Sequence, residues 1–251
     1  MKFRQVIVLV STLISIFGIY WINAGNTSLK RTGEVAGREE VINYALPPGF
    51  SFSIWGLIYL GFLIYALYGL KKTIVNQDIL DRTAYPIAVS IALNFIWIII
   101  VGLELWLPAY FLQWLMLIIS LAILIRWRSN KEASLANKWL SIPFALYAGW
   151  LTVAMIPFTS DLLNKSGWDY APFAPRTWAI IVYITACVIV LFAYKKLGNP
   201  FYIFPLAWVF FGYFIRFDEE LKVVAGILMV ITFVFFIFQL SLFFKGRRTA
   251  S

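Results

Sequence analysis

The residues able to do chemistry in this chain fall in short clusters at helical spacing. Phe52, Trp55 and Tyr59 follow the proline pair Pro47-Pro48; Asn94 and Trp97 lie in the run ALNFIW; Tyr147 and Trp150 follow Pro143 at steps of four and three. Steps of three and four put side chains on one side of a helix, so each cluster presents an aromatic stripe. Asn94 adds an amide beside an indole. Such faces can take a flat, largely apolar ligand, with Asn94 or Tyr59 supplying the orienting hydrogen bond. Interior packing, an interfacial aromatic belt and an interhelical hydrogen bond from Asn94 are the structural alternatives.

Other chemistries are excluded by what the chain lacks. It has no histidine and a single cysteine, Cys187, which rules out an internal disulfide, a multi-cysteine metal site, an imidazole base and histidine-ligated haem. No paired carboxylates and no nucleophile with its base are visible, and the acids fall mostly between apolar runs. Glu104, beside a short turn, is expected at an interface, not in a catalytic role.

The elements that must position these residues are membrane helices. The composition is 62% hydrophobic and 19% aromatic, with 23 Phe, 13 Tyr and 11 Trp, far more apolar material than a soluble core needs. The net charge of +9 sits in short segments between apolar runs, so it reads as a topology signal and not as a nucleic-acid face. The stretch from Pro47 to Leu70 carries a run of membrane-spanning length. Further spans are expected at about residues 6–22, 84–103, 108–127, 139–156, 177–194, 201–215 and 221–244. A cleavable leader is the alternative for the first, although Tyr20 and Trp21 suit an interfacial anchor. The seventh is short and contains Pro205, so a tilted or re-entrant segment is its alternative. Eight crossings put both termini and most of the 21 Lys and Arg, including Arg126 and Arg128, on the cytoplasmic side. Residues 23–46 form the longest polar stretch, in which GEVAGREEVINYAL is either a short amphipathic cap or a solvated connector. A bend at Pro143 would widen a space between helices.

The stretch Pro47-Pro48-Gly49-Phe50-Ser51-Phe52-Ser53-Ile54-Trp55, continuing to Tyr59, resembles the entry to the second helix of tryptophan-rich sensory proteins. These are relatives of the mitochondrial translocator protein, or peripheral benzodiazepine receptor. Ala92-Leu93-Asn94-Phe95-Ile96-Trp97 resembles the family's third-helix motif, and Pro143, Phe144, Tyr147 and Trp150 its fifth-helix pattern. Phe50 stands where the family commonly has Trp, and Met155 takes the approximate place of a late-helix Asn. The resemblance covers about residues 1–157 and implies an all-α fold: a five-helix ligand-binding membrane unit over 1–157, with 158–251 added as a three-helix membrane extension.

What the resemblance implies about function is a cavity capped by the loop between the first two helices. Phe52, Trp55, Tyr59, Asn94, Trp97, Tyr147 and Trp150 would line or support it, and Pro47, Pro48 and Pro143 would shape it. The ligand would be a porphyrin or other tetrapyrrole, or a sterol, held by a receptor, sensor or carrier that requires no cofactor. Transport of amphipathic solutes and light-dependent porphyrin degradation are the family-based alternatives, with an enzyme the less favoured class. The partners implied are a hydrophobic small molecule, the bilayer and a second copy in a homodimer, with no nucleic acid; the location implied is a bacterial inner membrane. If the ligand carries carboxylates, Lys30, Arg31 or Arg38 could meet them, unless nearby acids satisfy those cations first.

Overall fold

The computed structural model of the protein describes residues 3–31, 43–71, 77–129, 139–217 and 219–245. Among these the fold is all-α: α1 (Phe3–Asn23), α2 (Ile54–Gly69), α3 (Gln77–Gly102), α4 (Trp106–Ser129), α5 (Ile142–Lys165), α6 (Pro175–Leu197), α7 (Phe204–Arg216) and α8 (Glu219–Lys245). Short 3-10 turns at Gly49–Ser53 and Pro200–Tyr202 precede α2 and α7. Helices dominate because a backbone in lipid must satisfy its own polar groups. Most of the expected cap, with Arg38 and its neighbouring glutamates, lies outside the described residues.

Among the described residues, seven helical segments are long and apolar enough to cross a membrane: Phe3–Asn23, Gly49–Gly69, Asp78–Gly102, Trp106–Ser129, Trp139–Lys165, Pro175–Leu197 and Glu220–Lys245. Their outward faces fit lipid. On α2, Leu57, Leu60, Ile64 and Leu67 form one exposed row while Ile58, Phe62 and Tyr65 are buried. An apolar row of that size would be a liability in water and is an ordinary surface in a bilayer. The expected seventh of eight spans is the exception. It is α7, a helix of 13 residues, about 20 Å long at 1.5 Å per residue, against a hydrocarbon core of about 30 Å.

Two prolines differ from their expected roles. Pro143 is the second residue of α5, so it sits in the first turn, where its missing N–H costs no intrahelical bond. It therefore imposes no mid-helix bend. The interior proline of α5 is Pro157, and the helix runs through it to Lys165 instead of yielding there to a connector.

The chain packs as two compact units, Met1–Val35 with Trp55–Ala148, and Ala36–Ile54 with Gly149–Ser251. In the first, α1 and α3 pack side by side in parallel. Gln5 Nε2 donates to Leu80 O at 3.0 Å, and ten residues further on Ser15 Oγ donates to Ile91 O at 3.1 Å. Each such bond between membrane helices contributes roughly 0.6 kcal/mol. Gly18 leaves room for the Phe95 ring, and Gly61 lets α2 approach Pro143, whose Cβ would lie 2.9 Å from an added methyl. Phe62 stacks on Phe144 at 5.4 Å, with Tyr65 edge-on to Phe144 at 4.9 Å.

In the second unit α7 packs along α8. Although short, α7 buries Leu206, Ala207, Val209, Phe210 and Tyr213. Its neighbour is the segment leading into α2. Trp208 Nε1 donates to Ser51 O at 2.8 Å, and Phe50 lies edge-on to Trp208 and Phe211. Gly212 faces Pro48 and Ser51, where a side chain would collide.

Candidate functional site

The first unit contains the tightest convergence of the expected residues. On α2, Trp55 and Tyr59 are one turn apart and their rings stack at 5.4 Å with 19° between planes. The Tyr147 ring from α5 lies 5.9 Å from that of Trp55 and 5.3 Å, edge-on, from that of Phe62. Offset and edge contacts of this kind are worth about 0.5–1.5 kcal/mol each beyond burial. Trp55 and Tyr59 are half-buried, while Tyr147 is fully buried beneath them.

A polar floor underlies the aromatic residues. The Tyr59 hydroxyl donates to Asn94 Oδ1 at 2.7 Å, tying α2 to α3. The Tyr147 hydroxyl donates to Met116 Sδ at 3.4 Å, and Ser90 and Asn94 lie beside it. Asn94 and Gln113 are 1% and 2% exposed, yet among the described residues Asn94 Nδ2 and Gln113 Nε2 meet no acceptor in direct hydrogen-bond geometry, although the Tyr147 hydroxyl lies beside Asn94. A buried donor without a partner costs about 1–3 kcal/mol, so this pair is an unusual feature of an otherwise well-packed interior.

The helix pair α3–α4 explains their placement. α3 ends in a tight turn in which Leu105 N donates to Ile100 O and Glu104 N to Val101 O, with Glu104 in the left-handed conformation at φ 59°. The chain reverses, and α4 packs antiparallel against α3. Trp97 Nε1 donates to Ala109 O at 3.1 Å, which fixes the register of the pair. One helical turn deeper on each helix lie Asn94 and Gln113, which this register places at the same level. Trp97 thus serves the α3–α4 seam, with its only N–H donor engaged.

Of the remaining expected residues, Phe52 and Trp150 meet each other in the second unit, edge-on at 5.6 Å, with Trp150 buried. Pro48 caps the 3-10 turn that leads to α2, and Ser51 N donates to its carbonyl at 2.9 Å. Pro47 precedes it in the same extended approach. Pro143 shapes the α2–α5 contact through Gly61. Lys30 does not point to a ligand: it pairs with Glu104 across the α3–α4 turn.

Gln113, Ser90 and Met116 were not anticipated. Gln113 carried a signal, because it is a lone amide in the apolar run AYFLQWLM and the rule applied to Asn94 holds for it equally. Met116 carried none, since a thioether in an apolar helix has many uses.

A family model described as TSPO-like protein matches residues 5–239. The match runs well past residue 157, where the motif resemblance ends, and takes in α6, α7 and most of α8. No curated protein and no solved structure matches the chain.

Proposed function

We propose, since the chain belongs to the TSPO-like protein family, that it is a membrane receptor or carrier binding a flat hydrophobic ligand such as a tetrapyrrole or sterol. The observation that carries this reading is the meeting of Trp55, Tyr59 and Tyr147 above Asn94, with residues from three helices converging on one place. Half-buried rings over a buried amide offer a ligand both contact area and one oriented polar partner. Exchange of an amphipathic solute through the bundle and light-dependent breakdown of a porphyrin are the alternatives within the family. A bacterial inner membrane, with both termini in the cytoplasm, and a homodimeric state complete the proposal.

The test is a titration in lipid nanodiscs with protoporphyrin IX and with cholesterol, read by intrinsic tryptophan fluorescence. Trp114 projects outward from α4 and is 43% exposed, so Trp114→Ala is the control for a lipid-facing indole. Trp55→Ala is expected to weaken saturable binding about tenfold or more, corresponding to at least about 1.4 kcal/mol, and Trp114→Ala to leave it unchanged. Equal losses in the two variants, or no saturable binding of either ligand, would overturn the assignment.

A further inference from the structure

We infer that the shared end of α6 and α8 is a binding surface for the headgroup of an anionic phospholipid, whose acyl chains lie along the outer faces of the same two helices. Lys195 and Lys196 stand in the last turn of α6 and Lys245 in the last turn of α8, and all three are exposed. Tyr194 and Gln239, 45 residues apart in the chain, bring these ends together: the Tyr194 hydroxyl donates to Gln239 Oε1 at 2.8 Å, and the Tyr194 ring lies edge-on to Phe235 at 5.8 Å. The two helices run parallel. Tyr183 in the first half of α6 stacks on Tyr213 near the end of α7, and Phe204 at the start of α7 meets Phe236 in the second half of α8. α7 therefore runs against both, and α6 and α8 finish on one side. Counted from the Tyr194–Gln239 bond, Lys196 and Lys245 differ in height by roughly 6 Å at 1.5 Å per residue, a distance that a lysine side chain covers.

The charge at this end is of one sign. No acidic residue occurs from Pro175 to Phe217 or from Leu221 to Ser251, and Arg247 and Arg248 follow α8 in the sequence. The acids of α8, Glu219 and Glu220, stand in its first turn, at the opposite end. Aligned carbonyls at a helix C-terminus favour a cation, but that accounts for about one lysine per helix and not for a cluster. Beside the cluster the surface turns apolar: Phe192 on α6 and Phe238 and Leu242 on α8 are exposed. The Lys196 ammonium lies over the Phe192 ring, 5.4 Å from its centroid. It is thus held where an outward-facing ring gives way to the helix end, which is where a lipid phosphate sits when its chains lie against that ring. A soluble anion would meet the charge and leave the apolar faces unused, so the occupant is a lipid.

Native mass spectrometry of the full-length protein in mild detergent, titrated with phosphatidylglycerol and with phosphatidylcholine of the same acyl chains, resolves the first lipid bound. Phosphatidylglycerol is expected to bind about tenfold more tightly. Lys195→Gln with Lys196→Gln should remove most of that preference and leave phosphatidylcholine binding unchanged, whereas Lys195→Arg with Lys196→Arg should keep it. Arg126→Gln with Arg128→Gln, in the last turn of α4, should not alter it. Lys245→Gln alone should cost about threefold, and it repeats the test should the paired variant fail to fold, as judged by circular dichroism. Excess glycerophosphate, which carries the phosphate without chains, should not displace the lipid. Equal binding of the two lipids, or equal losses in the α4 and α6 glutamine variants, would make the attraction diffuse and overturn the inference. Displacement by glycerophosphate would overturn it in favour of a soluble anion.

Discussion

Glu104 occupies a backbone position that glycine usually fills. The ends of α1 and α5 show the usual arrangement, with Gly25 and Gly167 at positive φ and the N–H groups of each glycine and its successor donating the same pair of capping bonds that Glu104 and Leu105 donate at the end of α3. An L side chain in this conformation costs about 1–2 kcal/mol. The Lys30–Glu104 pair gives something back, but both side chains are about a third exposed, and exposed pairs contribute about 0–1 kcal/mol. Backbone relief should therefore win. Glu104→Gly is expected to raise the thermal unfolding midpoint in nanodiscs and Glu104→Gln to change it little; a fall for Glu104→Gly would mean that the ion pair dominates. This scale was only partly legible in the sequence. The place of Glu104 in the turn between α3 and α4 followed from the short break between two apolar runs, and the aromatic steps around Trp55 followed from helical spacing. The Tyr59–Asn94 bond and the depth match of Asn94 with Gln113 depend on register between helices, which no spacing within one helix encodes. Pro143 shows the same limit, since whether a proline bends a helix depends on where that helix begins.

The segment entering α2 is held by the carboxy-terminal helices with unusual regularity. Three successive carbonyls each receive a side-chain donor: Tyr44 O from Tyr183, Ala45 O from Tyr213, and Leu46 O from Arg216. Just before them Asn43 Nδ2 donates to Asp161 Oδ1 at 2.6 Å and to Pro157 O at 3.2 Å, and just after them Trp208 holds Ser51 O. A loop carrying this many buried backbone groups needs such donors, because water is not there to supply them. The function we assign to α6 and α7 is accordingly to fix this strap, and with it the placement of Phe52 against Trp150. Hydrogen exchange provides the check. Tyr183→Phe combined with Tyr213→Phe removes two bonds worth about 1 kcal/mol each, so amides of residues 44–53 should exchange roughly tenfold or more faster while those of α3 and α4 stay protected. Gly212→Val should produce the same local release by driving a side chain into Pro48 and Ser51, since even a methyl would lie 3.0 Å from Pro48 Cδ. Uniform loss of protection through all helices would refute a local strap. Each of these helices was legible from its apolar run, but a bond from residue 213 to residue 45 was not, because it joins parts of the chain that share no local pattern.

At the scale of the whole molecule the open choice is between seven and eight crossings, and it turns on Pro200–Arg216. Length alone argues against a crossing, since α7 is about 10 Å shorter than a typical hydrocarbon core. Two considerations argue for it. A helix whose side chains are mostly buried in protein does not have to match lipid thickness as an exposed one does, and the preceding 3-10 turn at Pro200–Tyr202 adds about 6 Å at about 2 Å per residue. The charge distribution is the stronger consideration. Lys2 and Arg4 precede or begin α1, while Lys245, Arg247 and Arg248 close or follow α8 in the sequence. On the proposed topology such clusters are retained in the cytoplasm and both ends lie on one side, which requires an even number of crossings. On that proposed topology the eighth crossing is α7, a short span completed inside protein and not at a lipid face. With Cys187 replaced by alanine, single cysteines introduced at Ser251 and beside Met1 should both be labelled by a membrane-impermeant maleimide only after the inner face is exposed. A cysteine at Asn199 and one at Glu220, flanking the short helix, should label from opposite sides. Labelling of Asn199 and Glu220 from the same side, with the two termini on opposite sides, would make α7 a re-entrant element and set the number of crossings at seven.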